Sequence, residues 1–273
     1  MRLEAASLRS LAQAPEMRLL VYALTASAWA CAMLGRWDLG LEKAMASLKE
    51  SERVRDASLV SFSYTFGFCV VHGHRGAFEE AIECGRRAVE NAQTPAERQW
   101  AESHYAWVLI ARDPAAAEEQ LAPIVSFYRS AGLDWPECFT AVPLGEACLS
   151  TGRLEKAREC LERIVAIAER LEIRLFSTPG ERLLGEVMLA DGRPEALQQA
   201  QHHFERAMAC RERSKAENEL ALAWAGYGRL QARLGRADQA REYLTKALAA
   251  FERLGTLGQP ERVRAALVDL AQP

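Results

Sequence analysis

The chain has no apolar run long enough to cross a bilayer, no basic tract, no paired-cysteine motif and almost no strand-like alternation. Each lack removes a class of function. The most apolar stretch, Leu19 to Leu34, contains Thr25 and Ser27 and is short for a membrane span, so it is expected to be a buried helix. The first 30 residues lack the basic start, short apolar core and cleavage site of a secretion signal. Residues 1–134 hold 14 Lys/Arg against 17 Asp/Glu and residues 135–273 hold 20 against 20, for a net charge of −3. With no basic stripe, neither nucleic acid nor a membrane is an expected partner. The seven cysteines, at 31, 69, 84, 138, 148, 160 and 210, form no C-x-x-C pair, are odd in number and fall mostly in helix-like segments. Reduced thiols and a cytoplasmic location are the expectation. No G-x-x-x-x-G-K-[ST] loop occurs, and no Ser-His-acid or Cys-His order suggests a nucleophile. The chain is therefore not expected to be an enzyme or to carry a cofactor. No long polar, Pro-rich or Gly/Ser-rich linker divides it, so one domain over 1–273 is expected.

What the chain does have is a repeat. Gly35-Arg-Trp-Asp-Leu-Gly40, Gly76-Ala-Phe-Glu-Glu-Ala81, Gly152-Arg-Leu-Glu-Lys-Ala157 and Gly235-Arg-Ala-Asp-Gln-Ala240 share a glycine five positions before a small residue. Weaker versions end at Ala117 and Ala200. The six small markers are 41, 36, 40, 43 and 40 residues apart. Such a period signals a solenoid, in which each unit buries its apolar face only against its neighbours. Between the markers, apolar residues recur at three and four, as in Leu154, Ala157, Leu161, Ile164, Val165 and Ala168. The β-branched run Leu59–Phe68 is the best strand candidate, yet it lies where a repeat helix must lie.

Helix boundaries are punctuated. Thr94-Pro95-Ala96-Glu97 and Thr178-Pro179-Gly180-Glu181 each offer a hydroxyl N-cap, a proline at the first helical position and a glutamate three after the cap. Asp113-Pro114 and Asp134-Trp-Pro-Glu137 provide similar starts. The turn glycines Gly35, Gly152, Gly192 and Gly235 suit the left-handed closure of a helix C-terminus. The pattern predicts about six helical hairpins over residues 20–255, a final helix near 260–271 and a short leading helix over 3–12.

These residues resemble the tetratricopeptide repeat. Its clearest unit here is Trp224, Tyr227, Gly228, Gly235, Ala240, Leu244 and Ala247, followed by Leu144, Gly145, Gly152, Leu154, Ala157, Leu161 and Ile164. The fifth unit, with Leu184, Gly185, Gly192, Ala200, Phe204 and Ala207, fits once about three residues are inserted near Pro194–Leu197. In the third, Arg112 or Asp113 replaces the turn glycine. A spacing near 40 resembles the longer-helix variety in bacterial regulators, such as sensor regions of the maltose-activator family and of ATPase- and adenylate-cyclase-linked signalling proteins. The resemblance implies an all-α, right-handed superhelical solenoid with a C-terminal capping helix. It implies binding of a protein or peptide, with a small-molecule or signalling-peptide sensor region of a larger bacterial regulator as the alternative; self-association by end-to-end or groove contact is a further reading.

In such an array the first helix of each pair lines the concave face. Carrying that register over implies Thr25, Trp29 and Met33 on the face from the first unit, then Phe66, Val70 and His74. Ser103, Trp107 and Ile110 follow from the third unit, and Val142, Glu146 and Leu149 from the fourth. Arg182 and Glu186 come from the fifth, Arg229 and Arg233 from the sixth. The first half of the set is aromatic and apolar and the second half carries charge, with Arg182, Arg229 and Arg233 suited to a carboxylate on a bound peptide. The competing reading is that Trp29, Phe66 and Trp107 pack between hairpins and that Arg229 and Arg233 pair with Glu186 or solvent. Cys69, His72, His74 and Cys84 have no standard zinc spacing, and Gly73 and Gly76 place the histidines at a turn. His202 and His203 are adjacent on a helix and diverge. No metal site is expected.

Overall fold

The computed structural model describes the backbone of residues 2–211 and 216–270, with side chains throughout except at 2–14, 174, 210 and 211, so that Cys210 lies outside the described side chains. These residues form helices and turns and no strand. They divide into two compact units, Met1–Val108 and Leu109–Pro273.

In the first unit α1 (Arg2–Met33) and α2 (Trp37–Arg53) make a hairpin closed by Gly35 at φ 71°. The leading helix expected over 3–12 is continuous with α1, which runs through Pro15. The next hairpin begins as α3 (Ala57–Phe62), passes through a π-helical stretch (Ser63–Cys69) and ends as α4 (Val70–Arg75). Gly76 at φ 89° turns it into α5 (Phe78–Asn91), and α6 (Pro95–Leu109) follows.

The strand-like run is thus helical, and its π turn has a local cause. Ser63 Oγ donates to Leu59 O at 2.9 Å and Thr65 Oγ1 to Ser61 O at 2.8 Å, so hydroxyls compete with backbone amides for those carbonyls. The same hydroxyls are tied across the core. Thr25 and Ser47 lie 2.7 Å apart, Ser47 and Ser63 2.7 Å, and Ser51 and Ser63 3.1 Å, all buried. A satisfied polar chain of this kind fixes the register of α1, α2 and the π stretch, since any slip would leave hydroxyls unpaired. Around it pack Ala28, Ala32, Trp37, Ala44, Val70 and Val71.

The α6 start is a full capping box: Glu97 N donates to Thr94 Oγ1 and Thr94 N to Glu97 Oε2, both at 3.2 Å.

The second unit contains α7 (Pro114–Ser130), α8 (Asp134–Ser150), α9 (Leu154–Arg170), α10 (Arg174–Asp191), α11 (Pro194–Arg211), α12 (Glu217–Arg233), α13 (Ala237–Leu254) and α14 (Gln259–Asp269). At the glycine-less third turn, the Asp113 carboxylate accepts from Ala116 N at 3.0 Å and starts α7 with Pro114 in its first turn. Consecutive helices pack in order from α7 to α14, and α10 also touches α8 and α12. The chain is an all-α solenoid of helical hairpins.

Small residues set how close each pair comes. A methyl added at Gly145 would meet Leu161 Cγ at 2.6 Å, one at Gly185 would meet Phe204 Cε1 at 2.9 Å, and one at Gly228 would meet Leu244 Cγ at 2.7 Å. These are equivalent contacts in three successive hairpins. The extra residues of the fifth unit are absorbed at the start of α11, where Ala196 and Leu197 are buried.

One expectation changes. Thr178-Pro179 does not start a helix, because α10 already begins at Arg174; Phe176 is buried in that added turn, and its burial outweighs the local start signal. Pro143 and Pro123, which the sequence pattern did not place, lie inside α8 and α7.

Buried carboxylates clasp the second unit. Glu137 accepts from Arg163 Nε at 2.6 Å and from Arg129 Nε at 2.9 Å. Glu118 accepts from Lys156 Nζ at 2.8 Å and from Thr151 Oγ1 at 3.0 Å. Glu181 faces His203 Nδ1 at 2.7 Å and Arg206 Nη2 at 2.9 Å. Arg163 and Arg206 both lie six residues beyond their repeat markers, but their carboxylate partners differ in place, Glu137 lying eight residues before Gly145 and Glu181 four before Gly185. Burial pushes Glu137 and Glu118 up, but Arg163 with Arg129, and Lys156 with Thr151, overcome it and hold both carboxyls below their usual value.

Candidate interaction surface

In the first unit the candidate residues gather, but mostly as the rim of a core. Trp29, Met33 and Trp107 pack half-buried against the cluster that holds Val70. Val70 is 2% exposed, so it belongs to the core rather than an open face; its place on the first-helix stripe points inward because α1 and α2 close over it. Thr25 and Ser103 are buried as well, Thr25 in the hydroxyl chain. The Phe66 ring lies 4.7 Å from His104 and 5.8 Å from Trp100. Trp107 lies over Gly73 and 5.0 Å from the His74 ring, which explains why a glycine sits there: a methyl on Gly73 would come within 2.7 Å of the indole. Cys69 points to His104 O at 3.7 Å and His72 stacks on Phe68, so these groups do not converge, and no metal-type cluster forms among the described residues. Ile110, at the start of the second unit, is half-buried.

The second unit brings its charged candidates together. Glu146 on α8, Arg182 and Glu186 on α10, and Arg229 on α12 share one electrostatic neighbourhood with Glu219, also on α12. Arg182 Nε donates to Glu219 Oε2 at 3.4 Å, with each side chain 12% exposed. Arg229 Nη2 donates to Glu186 Oε1. Gly226 allows this approach, since a methyl there would fall 2.4 Å from Phe204 and 2.7 Å from Glu186 Oε1. Arg233 is exposed and lies beside the Gly192 turn.

Glu146 differs from its neighbours. It makes no hydrogen bond or ion pair with another described residue, yet burial pushes its carboxyl above the usual value; Arg182 opposes the shift, while Glu219 and Glu186 reinforce it. The same three carboxylates raise Arg182 against the opposing effect of burial. Such mutual influence with residual exposure describes charged side chains crowded together at the protein surface.

Along α8 the stripe holding Glu146 continues backward at helical spacing through Val142 and Phe139 to Trp135. The Trp135 and Phe139 rings lie 5.6 Å apart, and each is about as far from Phe176, at 5.9 and 6.0 Å. Trp135 is 44% exposed. Trp135, Phe139 and Glu219 were not among the sequence candidates. The signal was available: stepping back three and four residues from Glu146 and Arg229 along their helices reaches them.

The tetratricopeptide repeat family matches at residues 144–170 and 221–252. These are the hairpins of α8–α9 and α12–α13, the two clearest units in the sequence. The chain carries tetratricopeptide repeats. Similar solved structures share the arrangement. A Rap protein complexed with Competence and Sporulation Factor aligns with a TM-score of 0.63 and 14% identity, covering 93% of this chain and 88% of that one. PilW, a type IV pilus biogenesis factor, gives 0.53 and 18%, covering 89% and 97%. BtubC from P. vanneervenii gives 0.53 and 16%, covering 91% and 92%. These likenesses are of fold. No curated protein sequence matches the chain. In the tetratricopeptide register, Glu146, Arg182, Glu186 and Arg229 all lie on first helices of their hairpins, and no helix among the described residues is long and apolar enough to cross a membrane.

Proposed function

We propose that this tetratricopeptide-repeat chain is a non-enzymatic binding module that holds a peptide segment of a partner protein on the first-helix face of its second unit. The observation that carries this reading is the face of α8, α10 and α12, where partly open aromatic and apolar side chains adjoin crowded charges. Apolar surface supplies affinity, and a few placed polar groups orient the ligand. Within the first unit the half-buried Trp29, Met33, Phe66 and Trp107 are proposed as an apolar contact surface of their own, and within the second Ile110 as a further apolar contact. The Rap protein of similar fold is complexed with Competence and Sporulation Factor, which favours a signalling-peptide sensor as the second reading. A cytoplasmic setting agrees with cysteines that form no C-x-x-C pair, and action without nucleic acid or membrane agrees with the even charge.

Panning a random peptide display library against the full chain tests the proposal. Enriched peptides should bind the wild type and lose at least tenfold in affinity with Phe139→Ala, while Lys246→Glu on α13 leaves them unchanged. Absence of enrichment, or equal affinity for all variants, would overturn it.

A further inference from the structure

The first-helix face of the second unit is unevenly paired. It holds three carboxylates, Glu146, Glu186 and Glu219, around two guanidinium groups, Arg182 and Arg229. Arg229 is engaged by Glu186 and Arg182 by Glu219. Glu146 receives no donor from any described residue; of the charges that influence it Arg182 is the strongest and Arg262 on α14 the weakest, both favouring its ionised form but together outweighed by burial with Glu219 and Glu186. A carboxylate crowded by protein and two like charges, with no hydrogen-bond donor, is costly to keep ionised and gains most from an arriving cation. An anionic ligand meets the opposite situation: it would have to displace a carboxylate from a guanidinium that is already paired, beside a third negative charge.

The surroundings narrow the cation further. Val142 is one turn from Glu146 on the same α8 stripe, and Phe139 is two turns away, about 10 Å by helical rise. A lysine or arginine side chain combines an aliphatic stem with a charged tip, so it can cover Val142 while its head reaches Glu146. An adjacent aromatic or branched apolar side chain would then meet Phe139 and Trp135.

Resting on the reading of this face as a peptide site, we infer that Glu146 receives a cationic side chain of the bound peptide, with an apolar residue nearby in that peptide seated against Val142, Phe139 and Trp135. Glu146 thus acts as a specificity residue, selecting basic over acidic or neutral segments. Arg182 and Arg229 hold Glu219 and Glu186 so that Glu146 alone is left to meet the ligand.

The test uses the full chain and fluorescently labelled, N-acetylated and C-amidated hexapeptides in a Gly/Ser background. Each peptide carries one Phe and one Lys separated by one to four positions, with counterparts that replace Lys by norleucine or by Glu. Anisotropy titrations on the wild type should show at least one spacing at which the Lys peptide binds tenfold or more tighter than its norleucine counterpart. Glu146→Gln should shrink that preference to within twofold, with a thermal melt showing the variant folded. Equal binding of Lys and norleucine peptides, tightest binding of the Glu peptide, or a preference that survives Glu146→Gln would each overturn the inference. In those cases the face itself still stands if affinity falls with Phe139→Ala. If no hexapeptide of any charge binds, the inference falls with the peptide-site reading.

Discussion

His104 lies buried in α6, with Nδ1 2.8 Å from Trp100 O; since a carbonyl only accepts, Nδ1 carries the proton in this arrangement. Burial lowers its pKa to about 4, against the opposing effect of that hydrogen bond, and the nearby His74 lowers it further. Between the usual 6.5 and about 4 the unfolded chain binds a proton here that the native chain refuses. The stabilisation is therefore full above pH 6.5 and is lost as pH falls through that window. His104→Gln, which can still donate to Trp100 O, should flatten the fall in melting temperature between pH 6.5 and 4. An unchanged slope would show that His104 does not set it. Glu137 has the acid-side counterpart: its lowered pKa gives stability present above about pH 4.5 and lost as the carboxyl protonates. Glu137→Gln leaves Arg129 and Arg163 facing a neutral amide, and should cost about 2 kcal/mol in urea unfolding at pH 7, the arginines being part-exposed. A loss under about 0.5 kcal/mol would remove the clasp from the account. The sequence marked Glu146, Arg182 and Arg229 by face alone, whereas Val70 sits on an equivalent stripe and proves buried, because one-dimensional register cannot tell a lining side chain from one covered by the neighbouring helix.

At the level of the helix, turns and caps were the most legible features. Gly35, Gly76, Gly152, Gly192 and Gly235 all adopt positive φ at helix ends, and Thr94 with Glu97 forms the reciprocal box its spacing implies. Thr94→Ala should cost about 1 kcal/mol, measured by denaturant unfolding. Thr178-Pro179 shows where local signals fail: the same residue types lie inside α10, since Phe176 finds a core position one turn earlier. Gly145 offers a sharper test of packing. Ala is the better helix former by about 1 kcal/mol, yet its methyl would stand 2.6 Å from Leu161, which is fully buried. Gly145→Ala is expected to lower the melting temperature, as overpacking outweighs propensity. A higher melting temperature would mean that α8 and α9 can separate without cost.

For the molecule as a whole, binding and stability are set against each other at Glu146. Because its pKa is raised by burial, the native chain binds a proton there more readily than the unfolded chain does. Stability therefore declines as pH rises from about 4.5 through the raised value and stays lower above it. Glu146→Gln removes that penalty and should raise the urea midpoint at pH 7.5 while weakening basic peptides, the trade expected where a strained charge is kept for recognition. A lower midpoint would show that the carboxylate stabilises the fold. Added salt should weaken those same peptides in the wild type more than in the variant, since the preference is electrostatic.

The sequence by itself determined the repeat count, the hairpin turns and the all-α class, because period, glycine closure and caps are local and act wherever they occur. Only the tertiary structure decided which members of the first-helix face remain open and which charges meet. Gly226 brings α12 onto α10 so that Arg229 reaches Glu186; Arg182 is taken by Glu219, ten residues before Arg229 on the same helix; and Glu146 is left without a donor. Pairing across helices depends on how closely backbones approach, and that distance is fixed by side chains a whole repeat apart in the chain.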